Sequence, residues 1–524
     1  MELQNFLKRL ESENIRYNIN NEKLKELRRN VTGYHREVLA FVEALSVEEV
    51  QKIVVAAAEY NIALYPISKG KNIGLGSKLP VGEKAVLLSL EKMNKILNID
   101  EHFGIALIEP GVTQRQLSEY LQQRNSKYFL DVTGAPADSS VIGNILDKGV
   151  AYNTLRFKSV VDFQVVLGTG EILNTGYSHY SNTPLSHLTS YAPGPDLTGL
   201  FIQSNFGIIT RAAVMLTPIP QKHIAFTLSL NDERRIGELI EKVKYLKEHN
   251  IIRAIAHIGN RQRSQITIAP MVYRYLKSIG KQVNRQQAED LLEVFLPGSW
   301  SLVASVSGAA KMVAAAKKIV KKELSDFGKI SFIDENKVKL AKTLSKVLGM
   351  KKLNIYLNSI FPLIGLTFGK PTDEALHSIY WPQADENPFW KEPDKADFGF
   401  IYIVPVVPLR KKDIDATLSI IKQIEKLYNL QIAITLNPVD AYVLEGVVSF
   451  DFNLKSEQDT DKAHQAAQKM IQEFTKIGII PYRVDIGNYN LVVDEKDIYW
   501  QKIKQLKSVF DPNNIISPKR FNIV

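Results

Sequence analysis

The sequence predicts an α+β protein with more than one core, and three observations carry that prediction. The chain has 524 residues, more than one hydrophobic core usually supports, so two or three cores are expected. Its first half alternates amphipathic helices with short β-branched runs bounded by glycine and proline; its second half repeats a strand followed by a long amphipathic helix. An apolar fraction of 45% with 23% charged residues is that of an ordinary globular protein, without a low-complexity tail.

The elements follow in order. A charged amphipathic helix is expected at about 3–28, within an N-terminal helical segment spanning 1–44. In VEALSVEEVQKIVVAAAEYN, Ser46 followed three residues later by Glu49 makes a capping box that opens a second helix. A strand follows, and from 61 to 115 the runs IALYPIS, AVLLSL and FGIALIEPGVT read as strands, with a helix after Thr113. VVDFQVVLGTGEIL reads as a hairpin turning through Gly168, Thr169 and Gly170. Residues 45–218 form the first large unit on this reading. Residues 219–470 change character: strand and long helix at about 223–249 and again at 400–429, with a helical middle at 308–349, predict a separate α/β domain. A segment 471–524 closes the chain in the loop-like FDPNNIISPKRF.

Composition removes several classes of function. The formal net charge is +10, but the lysines are scattered, and the densest run, KKIVKKEL at 317–324, has the spacing of a solvated helix face. No nucleic-acid partner is expected. Cysteine is absent, which excludes disulfides, thiolate catalysis, iron–sulfur ligation and a cysteinyl link to a cofactor. Redox chemistry then requires a bound cofactor. The N-terminus lacks the apolar core of a secretory signal, and no stretch of about 20 apolar residues occurs, so a cytoplasmic protein with no membrane span is expected.

Three segments carry candidate chemistry. PISKGKNIGLGS, at 66–77, places Gly70, Gly74 and Gly76 among Ser68, Lys69, Asn72 and Ser77, so its backbone N–H groups can converge on an anion such as a diphosphate. It has neither the nucleotide P-loop ending nor the Rossmann spacing, and a tight glycine turn is the alternative. The second is SSVIGNILDKGVAYN at 139–153, and the third is LTGLFIQSNFGIITRAAVML at 197–216, where Asn205, Phe206 and Gly207 lie between a buried run and a strand.

Taken in order and spacing, these segments resemble the flavin domain of the vanillyl-alcohol oxidase and para-cresol methylhydroxylase family. PISKGKNIGLGS resembles that family's diphosphate loop, IEPGVTQRQLSEYL its following strand and helix, LDVTGAPADSSVIGN the loop beside the isoalloxazine, and FDPNNIISPKR its closing signature. The resemblance implies a two-lobed FAD-binding domain of the methylhydroxylase type at 45–218, an inserted α/β cap domain at 219–470 over the substrate, and a segment at 471–524 returning to the flavin. It implies flavin contacts from Pro66, Ser68, Lys69, Gly70, Lys71, Asn72, Ile73, Gly74, Leu75, Gly76 and Ser77. Further contacts would come from Gly134, Ser140, Ile142, Gly143, Asn144, Gly149, Gly207, Ile208 and Thr210, with Lys519 approaching from the tail.

The family's phenol-activating site pairs two tyrosines with an arginine. Tyr482 and Arg483 in IIPYRVD fit the tyrosine and arginine of the tail, whereas Leu75 stands where the second tyrosine is expected. The family's acidic residue would fall near Gly134, leaving Asp131 and Asp138 as nearby carboxylates, or as caps of loop backbone. None of the nine histidines lies where the family's histidyl-flavin bond arises, and a tyrosyl bond would need Tyr442, so noncovalent, dissociable FAD is expected. His377, Tyr380, Trp381 and Tyr402 read either as aromatic walls of a flat substrate pocket or as cap core.

The implied activity is that of an FAD-dependent oxidoreductase. Hydride passes from a small, aromatic or phenolic alcohol-type substrate to the flavin N5 while Arg483 and Tyr482 stabilise charge on the substrate oxygen. Leu75 keeps open a 2-hydroxy acid whose carboxylate binds Arg483. A flavin reductase of the UDP-sugar wall-synthesis type would lack the FDPNNIISP tail, and a basic binding protein on a degenerate flavin fold would be colourless. The resemblance also implies an electron acceptor, either a partner protein or oxygen, and a homodimer.

Overall fold

The chain is described here by a computed structural model covering residues 1–295, 298–334, 351–381 and 391–522. Three large sheets organise the described residues, beside a two-stranded ribbon of Tyr128–Phe129 and Thr217–Pro218. A four-stranded sheet runs in the order Arg16–Asn18, Glu37–Glu43, Lys84–Ser89, Leu64–Ile67, parallel except for its first pair. An antiparallel five-stranded sheet runs Ile96–Asp100, Ile105–Ile108, Gly207–Met215, Val160–Leu167, Ile172–Asn174. These are the two lobes of the first unit. Ile53, Val54, Val86 and Leu88 fill the core of one, and Phe163, Phe206, Ile209 and Leu117 that of the other.

The expected N-terminal helix breaks into Glu2–Ser12 and Asn21–Arg28. Asn14 takes a left-handed conformation and Asn20 caps the second piece by accepting from the amides of Glu22 and Lys23, so polar turn chemistry overrides the amphipathic period. The segment 1–44 is also not all helix, because Glu37–Glu43 is a strand of the first sheet. The capping box is present: Ser46 Oγ accepts from the Glu49 amide, and Glu49 Oε2 accepts from that of Leu45.

The third sheet has eight strands among the described residues, in the order Gly328–Ile333, Lys222–Leu230, Trp300–Gly308, His257–Asn260, Ala433–Pro438, Val443–Asn453, Phe398–Pro408, Pro481–Arg483. Four helices, Ile236–Glu248, Ala310–Leu324, Lys411–Tyr428 and Glu457–Lys476, pack Val243, Val320, Ile421 and Met470 onto one face. Since side chains alternate along a strand, Leu444, Val448 and Phe450 point into that core while Glu445, Val447 and Ser449 face the other way. The helix Glu457–Lys476 crosses the expected boundary at 470, and Pro481–Arg483 from the closing segment is the sheet's edge strand. The helical middle expected at 308–349 is a helix to Leu324 and a strand at Gly328–Ile333; its remainder from 335 lies outside the described residues.

The closing segment then returns to the first lobe. Leu64 N donates to Ile515 O at 2.7 Å and Ser517 N to Leu64 O at 2.8 Å, so FDPNNIISP adds to the edge of the first sheet. Lys507 and Asp511, both buried, pair at 2.5 Å, and Asp511 accepts the amides of Ile515 and Ile516. That one aspartate fixes the turn.

Candidate active site

Between the two lobes and the polar face of the large sheet lies a cavity of about 470 Å³. The 66–77 loop contributes Pro66, Ser68, Gly70, Lys71, Asn72, Ile73 and Ser77 to its wall. Gly74 and Gly76 have φ of +81° and +118°, and a Cβ at Gly74 would lie 2.6 Å from the Tyr402 ring, so the loop's tight path requires glycine. Among the described residues, no backbone N–H from Lys69 to Gly74 donates to a protein acceptor. A run of free amides beside a cavity fits a diphosphate.

Opposite this loop, Gly134, Ser140, Gly143, Asn144 and Gly149 also line the cavity. Ser140 caps the helix Val141–Leu146 by accepting from the Gly143 amide, and a Cβ at Gly143 would touch Ser68 Oγ at 3.2 Å. The remaining sequence candidates sit elsewhere. The Lys69 ammonium pairs with Glu91; Leu75 and Ile142 are core residues; Gly207, Ile208 and Thr210 belong to the strand Gly207–Met215, with Thr210 bonded to Gln164. Lys519 is not among the lining residues; its neighbour Arg520 is, because Ser517, Lys519 and Phe521 alternate in left-handed conformations that reverse which side chain faces inward.

Arg483 reaches the cavity from the edge strand. Its Nη2 donates to Asn72 Oδ1 at 3.1 Å, its nearest carboxylate is Asp147 at 3.9 Å, and it lies 5.8 Å from the Tyr402 ring centre. Burial opposes its charge, and the surrounding oxygens of Tyr402, Asp147, Tyr482 and Glu445 more than offset that, holding the guanidinium firmly protonated. Arg520 pairs with the same Asp147 at 2.8 Å. Two arginines thus share Asp147, with Glu445 the other carboxylate at this end of the cavity.

Tyr482 lies behind the wall: its hydroxyl donates to Glu445 Oε1 at 2.6 Å. Burial, then the Glu445 charge, pushes the phenol well above its ordinary value, so it keeps its proton. Burial likewise raises the Glu445 carboxyl, with hydrogen bonds from Tyr482 and Asn437 working the other way.

Asp131 accepts from the amides of Asn153 and Thr154, and Asp138 pairs with Arg115, so both serve loop backbone or surface. His377 bonds Arg274, Trp381 packs on Tyr273 and Tyr380 on Phe398; of the four aromatic candidates only Tyr402 lines the cavity. Tyr442 is 76% exposed at the turn joining two strands of the large sheet. Asp147, Glu445, Arg520, His257 and Arg263 are cavity residues that the sequence did not single out for chemistry. Asp147 and Arg520 each lie within a flagged stretch, but no local pattern marks which residue of LDKG or PKR turns inward.

A cradle of free amides beside an arginine-lined, partly apolar chamber defines a flavin-binding redox enzyme, and the comparisons agree. The sequence profile of an FAD binding domain matches residues 38–176. The chain is 30% identical over 499 residues to 1'-carboxy-chondrochloren decarboxylase of Chondromyces crocatus, covering 93% of this chain and 91% of that protein. It is 26% identical to the flavoprotein subunit of 4-cresol dehydrogenase (hydroxylating) of Pseudomonas putida, over 92% of this chain and 88% of that one. Its fold matches 4-ethylphenol oxidase from Gulosibacter chungangensis with a TM-score of 0.84 at 21% identity, covering 100% and 96% of the two chains. The protein therefore belongs to the vanillyl-alcohol oxidase and para-cresol methylhydroxylase family of FAD-dependent oxidoreductases. No helix of the described residues is long and apolar enough to cross a membrane.

Proposed function

We propose that the enzyme oxidises a small phenolic or related aromatic alcohol-type substrate bound between the flavin site and the polar face of the large sheet. One observation carries this reading: Arg483 faces the cavity fully charged with its nearest carboxylate no closer than 3.9 Å, so it has capacity for a substrate oxyanion. The similarity to an enzyme named for 4-cresol supports the substrate class.

The free amides of the 69–74 run would hold the FAD diphosphate, with Ser140, Gly143 and Asn144 as the facing wall, and the flavin would supply the two-electron acceptor. Arg483 stabilises the negative charge that develops on the substrate oxygen, in a chamber whose burial strengthens the interaction. Tyr482 stays protonated and holds Glu445, which lines the cavity and takes the proton lost by the substrate hydroxyl. The flavin is dissociable, since Tyr442 is exposed and away from the cavity wall. A 2-hydroxy acid with its carboxylate on Arg483 is the second reading, favoured by the same unsaturated guanidinium.

The test is anaerobic bleaching of the flavin by a panel of 4-hydroxybenzyl alcohols and 2-hydroxy acids, in the wild type and in Arg483→Met. Phenolic alcohols should bleach the wild type and lose nearly all of that rate in the variant. Bleaching by hydroxy acids alone would select the second reading, and equal rates in both proteins would remove Arg483 from the chemistry.

A further inference from the structure

The sheet side of the cavity holds another cation, which the reading above does not use. Arg263, in the first turn of the helix Arg261–Ser278, lines the wall. Its Nη2 donates to Ser449 Oγ at 2.6 Å and to the Ala433 carbonyl at 3.3 Å, while its Nε is buried without a partner. Among the described residues no carboxylate forms an ion pair with it, and Asp451 acts on it only at longer range. Burial lowers the guanidinium to about 10, which leaves it charged at neutral pH. Arg263 is half-buried with its Nε enclosed, and a cation drawn partly out of water without a counter-ion is costly unless a ligand supplies one.

Strand register places this cation relative to Tyr482. Ser449 pairs with Ala433, Val447 with Thr435 and Glu445 with Asn437, and side chains two residues apart share a face. Ser449, which holds Arg263, and Glu445, which holds Tyr482, are therefore four residues apart on one strand, roughly 13 Å. Val447 and Thr435 floor the cavity between them. His257 and Asn437 face each other on this floor, and burial lowers His257 to about 4, so it is neutral.

We propose that Arg263 is a carboxylate-binding residue, so that the substrate is an organic acid whose carboxylate docks on the guanidinium fork while its reacting end lies at Arg483. This rests on the assignment of Arg483 and Tyr482 above and adds the substrate's second pole. The fork geometry suits a bidentate carboxylate.

The test is titration of the FAD-loaded enzyme, followed by flavin absorbance, with 4-hydroxybenzoate, 4-hydroxyphenylacetate and 3-(4-hydroxyphenyl)propanoate, each against its methyl ester. At least one acid should bind the wild type about tenfold or more tightly than its ester, the scale of one charge-assisted hydrogen bond. Arg263→Gln should abolish that preference while leaving the ester affinities within about twofold. If Arg263→Gln does not retain FAD, Arg263→Lys reads the same preference, expected at an intermediate value. Equal binding of acids and esters by the wild type, or a preference that survives Arg263→Gln, overturns the proposal. If acids and esters both bind but without that preference, the Arg483 reading stands alone; if neither class perturbs a bound flavin, both fall.

Discussion

Arg483 acts as fixed positive charge, so its loss should appear in the rate and not in the cofactor. Arg483→Met should slow flavin reduction by substrate by ~10²–10³-fold, the usual cost of removing one oxyanion donor, with the FAD content per chain unchanged. Glu445 gives a pH prediction whose sign follows from burial. Its carboxyl is raised above the ordinary 4.5, so the native state holds this proton more tightly than the unfolded chain does. The group's contribution to stability is full below that ordinary value and is lost as pH rises through the folded one. Glu445→Gln keeps an oxygen to accept from Tyr482 and removes the titration. Denaturation measured across pH should show the variant gaining on the wild type as pH rises above 4.5; a wild type that gains on the variant would contradict the assignment.

At the scale of elements, the closing segment is held by one buried pair. Asp511 bonds Lys507 and two backbone amides, with its side chain fully buried. Asp511→Ala leaves the Lys507 ammonium without its carboxylate and should cost about 3–5 kcal/mol. Hydrogen exchange at Ile515 and Ile516 should rise first, and Arg520, carried by the same segment, should leave Asp147, weakening FAD retention. Elements of this kind were legible where chemistry is local: the glycine loop, the Thr113 and Ser46 caps and the FDPNNIISP turn each state their backbone in their residues. The arginine end of the cavity was legible only in part. Tyr482 and Arg483 are adjacent in sequence, but Glu445, Asp147 and Arg520 meet them only through strand register and a left-handed turn. Arg263 depends on helical phase after the Asn260 cap, which RQR alone does not reveal.

For the whole molecule, the cavity is built jointly by the two lobes, the large sheet and the returning tail, so cofactor binding should couple to global stability. A ligand that binds only the folded state at 100 times its Kd adds about 2.7 kcal/mol. The apoprotein's Tm should therefore rise with added FAD in a concentration-dependent way, and a Tm indifferent to FAD would contradict a dissociable site. The most direct test of the central claim is the visible spectrum of the purified, FAD-reconstituted protein before and after acid precipitation. The purified protein should be yellow, and its colour should pass into the supernatant. Colour retained in the pellet would contradict dissociable binding, and a protein that stays colourless after reconstitution would contradict the flavoenzyme itself.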